Sequence, residues 1–124
     1  MHLLRDQPPR HRKDRVLIEA KELFGLNHYR YGEAFFGSFR GMRYRLAADP
    51  FKRLRPGEST EGMQLIATVW PEPWSYAGTD PSLMVSEHFD FSEEGYERSV
   101  AWLNDQYENG RERWQAAAET DLTE

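Results

Sequence analysis

The stretch FFGSFRGMRYRL (Phe35–Leu46) decides the fold of this chain. In its second half apolar residues alternate with arginines, so that Met42, Tyr44 and Leu46 share one side and Arg43 and Arg45 the other. A period of two is typical of a strand with one face buried and the other in water. The apolar face predicts a sheet that a helix covers. The arginine face is either solvated or available to a partner.

The first half of the same stretch predicts another strand. Phe35, Phe36 and Phe39 are strand-forming aromatics, while Gly37 and Gly41 indicate a bulge, a bend or a close backbone approach. We expect Gly41 to supply the bend that turns the phenylalanines toward the core.

Two further strands follow. MQLIATVW (Met63–Trp70) places Leu65, Ala67 and Val69 on one side and ends before the prolines of WPEPW. LMVSEHFDF (Leu83–Phe91) is predicted to add an edge strand. We expect Trp70 to enter the core, and Trp74 either to cover the strand end or to anchor a partner.

Helices are predicted at both ends of the chain. The first begins at the N-cap Asp14 and ends before Gly25, with Leu17, Ala20 and Phe24 on its buried side, and residues 26–34 form a loop. The last begins after the N-cap Ser92 and stops at Gly110. Its apolar stripe, at spacings of four, three and four, consists of Tyr96, Val100, Leu103 and Tyr107.

These elements predict one small α+β domain at residues 14–114, an antiparallel sheet of about three strands packed by two helices. Residues 1–13 read as a basic flexible arm, and residues 115–124 as a loose acidic tail after a frayed turn. At 124 residues the chain has room for one core.

Composition excludes several functions. There is no cysteine, so disulfides, thiolate metal sites and a cysteine nucleophile are excluded. No signal peptide or membrane-length apolar run is seen, which predicts a cytoplasmic protein with no membrane partner. Charge is divided: residues 1–55 hold 13 Lys and Arg against 6 Asp and Glu, and residues 56–124 hold 3 against 15. A two-sided electrostatic surface follows unless the halves interleave in space.

The sequence predicts no cofactor, no metal and no catalytic set. The histidines have no ligand spacing, and on a strand His88 would have only Asp90 as a same-face companion, whereas zinc needs three or four ligands. Ser38 is one place early for a nucleophile elbow. Phosphate-binding glycine loops are absent from the sequence, including the pyrophosphate loop of acyl-CoA acetyltransferases. An enzyme is therefore the least favoured class.

Two binding hypotheses remain. The first is a non-enzymatic protein-binding module that uses Arg40, Arg43, Arg45 and Trp74, with the acidic last helix as a second surface. The alternative is a nucleic-acid-binding protein that uses the basic arm and the Arg40–Arg45 strand. In that alternative Arg40, Gly41 and Tyr44 match three of the seven defined places of an RNA-binding strand motif, and Tyr44 would face solvent to stack a base.

Three sequence blocks together resemble a known family: FFGSFRGMRYRL, VWPEPWSY and FDFSEEGYERSVAWLNDQYE, residues 35–46, 69–76 and 89–108. They are similar to small uncharacterised gut-bacterial proteins, often encoded near mobile genetic elements, that share FxGSxxGMRYR, VWPEP and FxFSEEG…WLN patterns. The resemblance covers about a third of the chain and implies no enzymatic activity. Residence near mobile elements implies an inhibitor or regulator of host defence, such as an anti-CRISPR protein.

Overall fold

The structure, a computed structural model, describes residues 17–123. Within that range the chain forms one antiparallel sheet of four strands, in the order β1-β2-β3-β4, and three α-helices. The elements in chain order are α1 (Leu26–Arg30), β1 (Phe35–Phe39), β2 (Met42–Asp49), β3 (Gln64–Pro71), β4 (Val85–Asp90), α2 (Glu93–Asn109) and α3 (Arg111–Thr123). The predicted α+β class with an antiparallel sheet is confirmed, with four strands where about three were expected.

One face of the sheet, the inner face, carries the core. The strand register aligns Phe35, Leu46 and Ala67 in one row across β1, β2 and β3. Helix α2 lies over this face, and all four residues of its predicted stripe are buried, which confirms that prediction. Ser92 caps the helix as expected, because its hydroxyl accepts a hydrogen bond from the Gly95 amide at 2.9 Å.

The two glycines of the opening stretch have different tasks. Arg40 and Gly41 form the tight β1–β2 turn, both with positive φ (50° and 96°), as a two-residue hairpin of type I′ requires. A Cβ on Gly41 would lie 1.9 Å from the carbonyl oxygen of Trp114, so α3 approaches the turn closely. At Gly37 a Cβ would lie 2.5 Å from the ring of Tyr44, which occupies that space instead.

The prediction of one long first helix is wrong over the described residues, and its start at Asp14 lies outside them. Residues 20–23 form a short 3-10 turn, and α1 occupies part of the predicted loop. Asn104 on α2 binds this segment: its Oδ1 accepts hydrogen bonds from the amides of Leu17 and Ile18 (3.0 and 2.9 Å), and its Nδ2 donates to the Ile18 carbonyl (2.9 Å), a group that a continuous helix would pair internally. Phe24 ends the 3-10 turn with a left-handed backbone (φ 73°), and its side chain is exposed instead of buried.

The expectation of a frayed turn and a loose tail after Gly110 is also wrong. Residues 111–123 form helix α3, which is rich in good helix formers and contains neither Gly nor Pro. Trp114 anchors it, because its side chain is buried and its Nε1 donates to the Gln106 carbonyl at 3.1 Å. The basic arm, residues 1–13, lies outside the described residues. No helix within residues 17–123 is long and apolar enough to cross a bilayer.

Candidate functional site

The opposite face of the sheet, the outer face, carries both arginines of β2. The register places Arg45 between Phe36 and Thr68, and Arg43 between Ser38 and Trp70. The predicted division of β2 into an apolar and an arginine face is therefore confirmed, with Met42, Tyr44 and Leu46 buried on the inner face. The arginines are half-buried, so their aliphatic stems are packed on the sheet.

The segment after β3, residues 72–79, folds back over the outer face, and we call it the return loop. The Trp70 indole Nε1 donates to the carbonyl of Trp74 at 2.8 Å, and the Trp70 ring lies 5.6 Å from that of Tyr76. Trp70 is buried, as expected, but the expectation that it enters the helix-covered core is wrong. It lies on the outer face, under the return loop. Its position in the strand alternation, one after the inner residue Val69, accounts for this.

Arg45 is held among aromatic rings. Its Cζ lies 4.6 Å from the ring centre of Tyr76, 5.4 Å from that of Phe51 and 5.8 Å from that of Phe36. Each contact at this range is a cation–π interaction. The guanidinium is thereby positioned on the outer face, and no carboxylate within residues 17–123 forms an ion pair with it.

Arg43 borders an open depression of about 650 Å³ between the β1–β2 hairpin and the return loop. Ser38, Trp70 and Tyr76 are among its lining residues. The Nε atoms of Arg43 and Arg45 are buried and have no hydrogen-bond partner in the described part of the chain. Among residues 17–123 neither arginine forms an ion pair. The outer face therefore holds two cationic donors that lack acceptors.

The other two predicted site residues lie near the hairpin end of β2, where the Glu72 amide at the start of the return loop donates to the Gly41 carbonyl at 3.0 Å. Arg40 is at the hairpin tip, where its guanidinium lies over Phe39 of the inner face, 4.8 Å from the ring centre. Trp74 belongs to the return loop, and its side chain is 57% exposed although its carbonyl accepts a hydrogen bond from Trp70. The structure thus places Arg43 and Arg45 together on the outer face and connects Trp74 to that face through its backbone.

Apart from Trp74, the aromatic residues of this outer surface were not predicted as site residues. Phe36 (57% exposed), Phe51 (56%) and Tyr76 (38%) all contact Arg45. Strand alternation carried a signal for Phe36, because it must face away from its buried neighbours on β1. Phe51 and Tyr76 lie in loops, where no periodicity indicates orientation.

The remaining charged groups lie at the Asp49 end of the outer face or on the helix side of the sheet. His88 on β4 lies 2.8 Å from the Asp49 carboxylate, so a residue of β2 lies beside it in addition to its same-face neighbour Asp90. In residues 17–123 no three His, Asp or Glu side chains gather into a metal site. Five exposed acids of α2 lie on the far side of the sheet from the arginines: Glu93, Glu94, Glu97, Asp105 and Glu108.

Burial governs the ionisation of the tyrosines near the inner face. It raises the pKa of Tyr44 to about 12, and the Glu22 carboxylate adds to the effect. Burial likewise raises the pKa of Tyr29 and of Tyr96. Tyr29 donates to the Leu23 carbonyl at 2.8 Å, and Tyr96 to the Ala20 carbonyl, so both hydroxyls have structural tasks.

The outer face offers guanidinium donors, exposed rings and an open depression, whereas the buried tyrosine hydroxyls lie with the helices on the other side. No protein-family model, curated protein or solved structure matches this chain. The candidate function is therefore read from this surface.

Proposed function

We propose that this chain is a non-enzymatic module that binds another protein through its outer face. One observation carries the proposal: Arg45 contacts three exposed rings, a fourth exposed ring belongs to the return loop, and the described helices pack on the other face of the sheet. The first three rings are Phe36, Phe51 and Tyr76, and the fourth is Trp74. Tryptophan, tyrosine and arginine are the residues that most often anchor protein interfaces. Exposed rings grouped with guanidinium groups that form no ion pair within residues 17–123 are typical of a protein contact surface.

The role that we propose for the module is that of an inhibitor or regulator encoded on a mobile element, of the anti-CRISPR type. The support for this role is the resemblance of its three sequence blocks to gut-bacterial proteins found near such elements. An inhibitor of this kind needs no catalytic group of its own. It needs a surface that competes for a functional face of its target.

Two observations favour a protein over a nucleic acid as the partner. Tyr44, the ring that the RNA-binding alternative requires at the surface, is 5% exposed and lies on the inner face. The net charge of −5 is opposite to that of most nucleic-acid-binding domains. The exposed rings beside Arg45 could stack on bases, so nucleic acid is retained as an outcome of the test.

Photo-crosslinking in cells of the native host tests the proposal. A photoreactive phenylalanine analogue replaces Phe36 or Trp74 on the outer face, or, as the matched control, the exposed Ala101 on α2. We expect the first two positions to capture the same protein, identified by mass spectrometry after nuclease treatment, and the control position not to capture it. Equal capture at all three positions, or outer-face adducts that nuclease removes, would contradict the proposal.

A further inference from the structure

We propose that the depression beside Arg43 is a carboxylate-binding subsite, and that the outer face binds an extended acidic segment of the partner protein. This inference rests on the proposed function and names the chemistry of the partner. Its starting point is that the buried Nε atoms of Arg43 and Arg45 have no hydrogen-bond partner among residues 17–123. A buried donor without an acceptor is unfavourable by itself, and a charged donor more so.

The geometry of the depression suits a carboxylate. Arg43 and the hydroxyl-bearing Ser38 lie opposite each other in the register of β1 and β2, and both line the depression. A guanidinium binds a carboxylate through two parallel hydrogen bonds, and a hydroxyl can donate a third. Trp70 and Tyr76 also line the depression and provide apolar walls beside the position of the carboxylate.

Arg45 adds a second cationic position next to the subsite at Arg43. Arg43 and Arg45 are two residues apart on one strand, which separates their Cα atoms by about 6.6 Å. Alternate residues of an extended peptide have the same spacing and point to the same side. A segment with acidic residues at positions i and i+2 therefore matches both guanidinium groups. The exposed rings of Phe36 and Trp74 extend the surface beyond the reach of a small carboxylate.

The charges on the outer face limit the length of the acidic segment that can bind there. Among the described strand residues of the outer face, the permanent cations are Arg43 and Arg45, and His88 lies 2.8 Å from the Asp49 carboxylate. Asp90 lies on the same face, in the row of Asp49. Carboxylates at that end repel a long polyanion, whereas two acidic residues can be accommodated at the arginine end. This favours a short acidic peptide segment over a nucleic-acid strand, which gains affinity from many phosphate contacts.

Selection from a phage-displayed library of random dodecapeptides tests this inference. The immobilised full chain is compared with Arg43→Gln and with Arg98→Gln, a matched control on α2 whose guanidinium pairs with Glu94 at 2.9 Å. We expect wild type and the control to select peptides with two acidic residues separated by one position. Circular dichroism and thermal melting check that each variant is folded.

Fluorescence anisotropy then measures the chemistry with one synthetic consensus peptide. Replacing its Asp and Glu by Asn and Gln, or using Arg43→Gln, is expected to weaken binding about tenfold or more, as loss of a charged hydrogen bond does. Arg98→Gln should bind within about twofold of wild type, because an exposed pair away from the surface contributes little.

Several results would overturn the inference. They are selection of peptides without acidic residues, selection of no peptide at all, and equal affinity for the acidic and amide peptides. A labelled oligo(dT) provides the nucleic-acid arm, and its binding in an Arg43-dependent manner, without any acidic peptide, would assign the surface to nucleic acid. Protein crosslinks at Phe36 and Trp74 together with a failed selection would refute the carboxylate chemistry alone, while the proposed function would stand.

Discussion

The contact between Tyr44 and Gly37 predicts both the direction and the magnitude of stability changes when either residue is substituted. Tyr44 is buried, and its ring stacks at 6.0 Å on Phe35 and covers Gly37 on the neighbouring strand. A Cβ placed on Gly37 would lie 2.5 Å from Cζ and 2.6 Å from Oη of that ring. Carbon atoms prefer about 3.5–4.0 Å, so the ring must shift if a methyl group is added.

The magnitudes follow from this packing. Tyr44→Ala should lower the free energy of unfolding by about 3–5 kcal/mol, the usual loss for a buried aromatic ring. Gly37→Ala should cost about 1–3 kcal/mol by overpacking. Once Tyr44 is truncated the added methyl group meets no ring, so Gly37→Ala should become neutral or stabilise by up to about 1 kcal/mol. The two substitutions should therefore couple favourably by about 1–4 kcal/mol.

Urea denaturation followed by circular dichroism and tryptophan fluorescence measures all four proteins of the cycle. Arg43→Gln, one residue from Tyr44 but on the outer face, is the matched control and should change stability by less than about 1 kcal/mol. Strict additivity of the Gly37 and Tyr44 effects would show that the ring does not cover Gly37. A greater loss from Arg43→Gln than from Tyr44→Ala would show that the strand faces are reversed.

Three further predictions concern α3, the arginine face and pH. Trp114→Ala should lower the free energy of unfolding by about 3–5 kcal/mol and reduce the helix content measured by far-ultraviolet circular dichroism. Unchanged stability would show that α3 does not pack against the rest of the protein. Arg43→Glu with Arg45→Glu should cost at most about 1–2 kcal/mol, from lost cation–π contacts, yet abolish partner capture in the crosslinking assay; an unfolded double variant would contradict this. Because the pKa of Tyr44 is raised to about 12, the folded state retains a proton that the unfolded chain releases near pH 10. Stability should therefore fall from about pH 10 to 12, and less steeply in Tyr44→Phe; identical slopes in denaturant titrations would refute it.

Much of the sheet and the last long helix could be predicted because their signals are local. The alternation in β2 follows from the opposite directions of successive strand side chains, so both its buried and its arginine face were predicted. The stripe and cap of α2 follow from helical periodicity and from one serine hydroxyl that meets a backbone amide. Arg43 and Arg45 were candidates because of the strand alternation, and Trp74 because of its place in the segment WPEPW.

The composition of the outer surface depended on contacts between distant parts of the chain. Tyr76 and Phe51 reach Arg45 from separate loops, and the return loop covers Trp70 on the face opposite to the one predicted. No periodicity in a loop indicates where its rings point. The direction in which the loop returns is decided by packing against strands already in place.

By itself the sequence determined the strand alternation, the position of the hairpin turn and the length of α2, because each depends on interactions within a few residues. Only the tertiary structure decided the local structure of residues 17–30 and of residues 111–123. Asn104 binds the amides of Leu17 and Ile18 across more than 80 positions of sequence, and Trp114 anchors α3 beside the turn at Gly41. A side chain that hydrogen-bonds a distant backbone amide, or a ring that packs against a distant element, joins residues far apart in the sequence. Its effect on local structure is therefore decided only once the chain is folded.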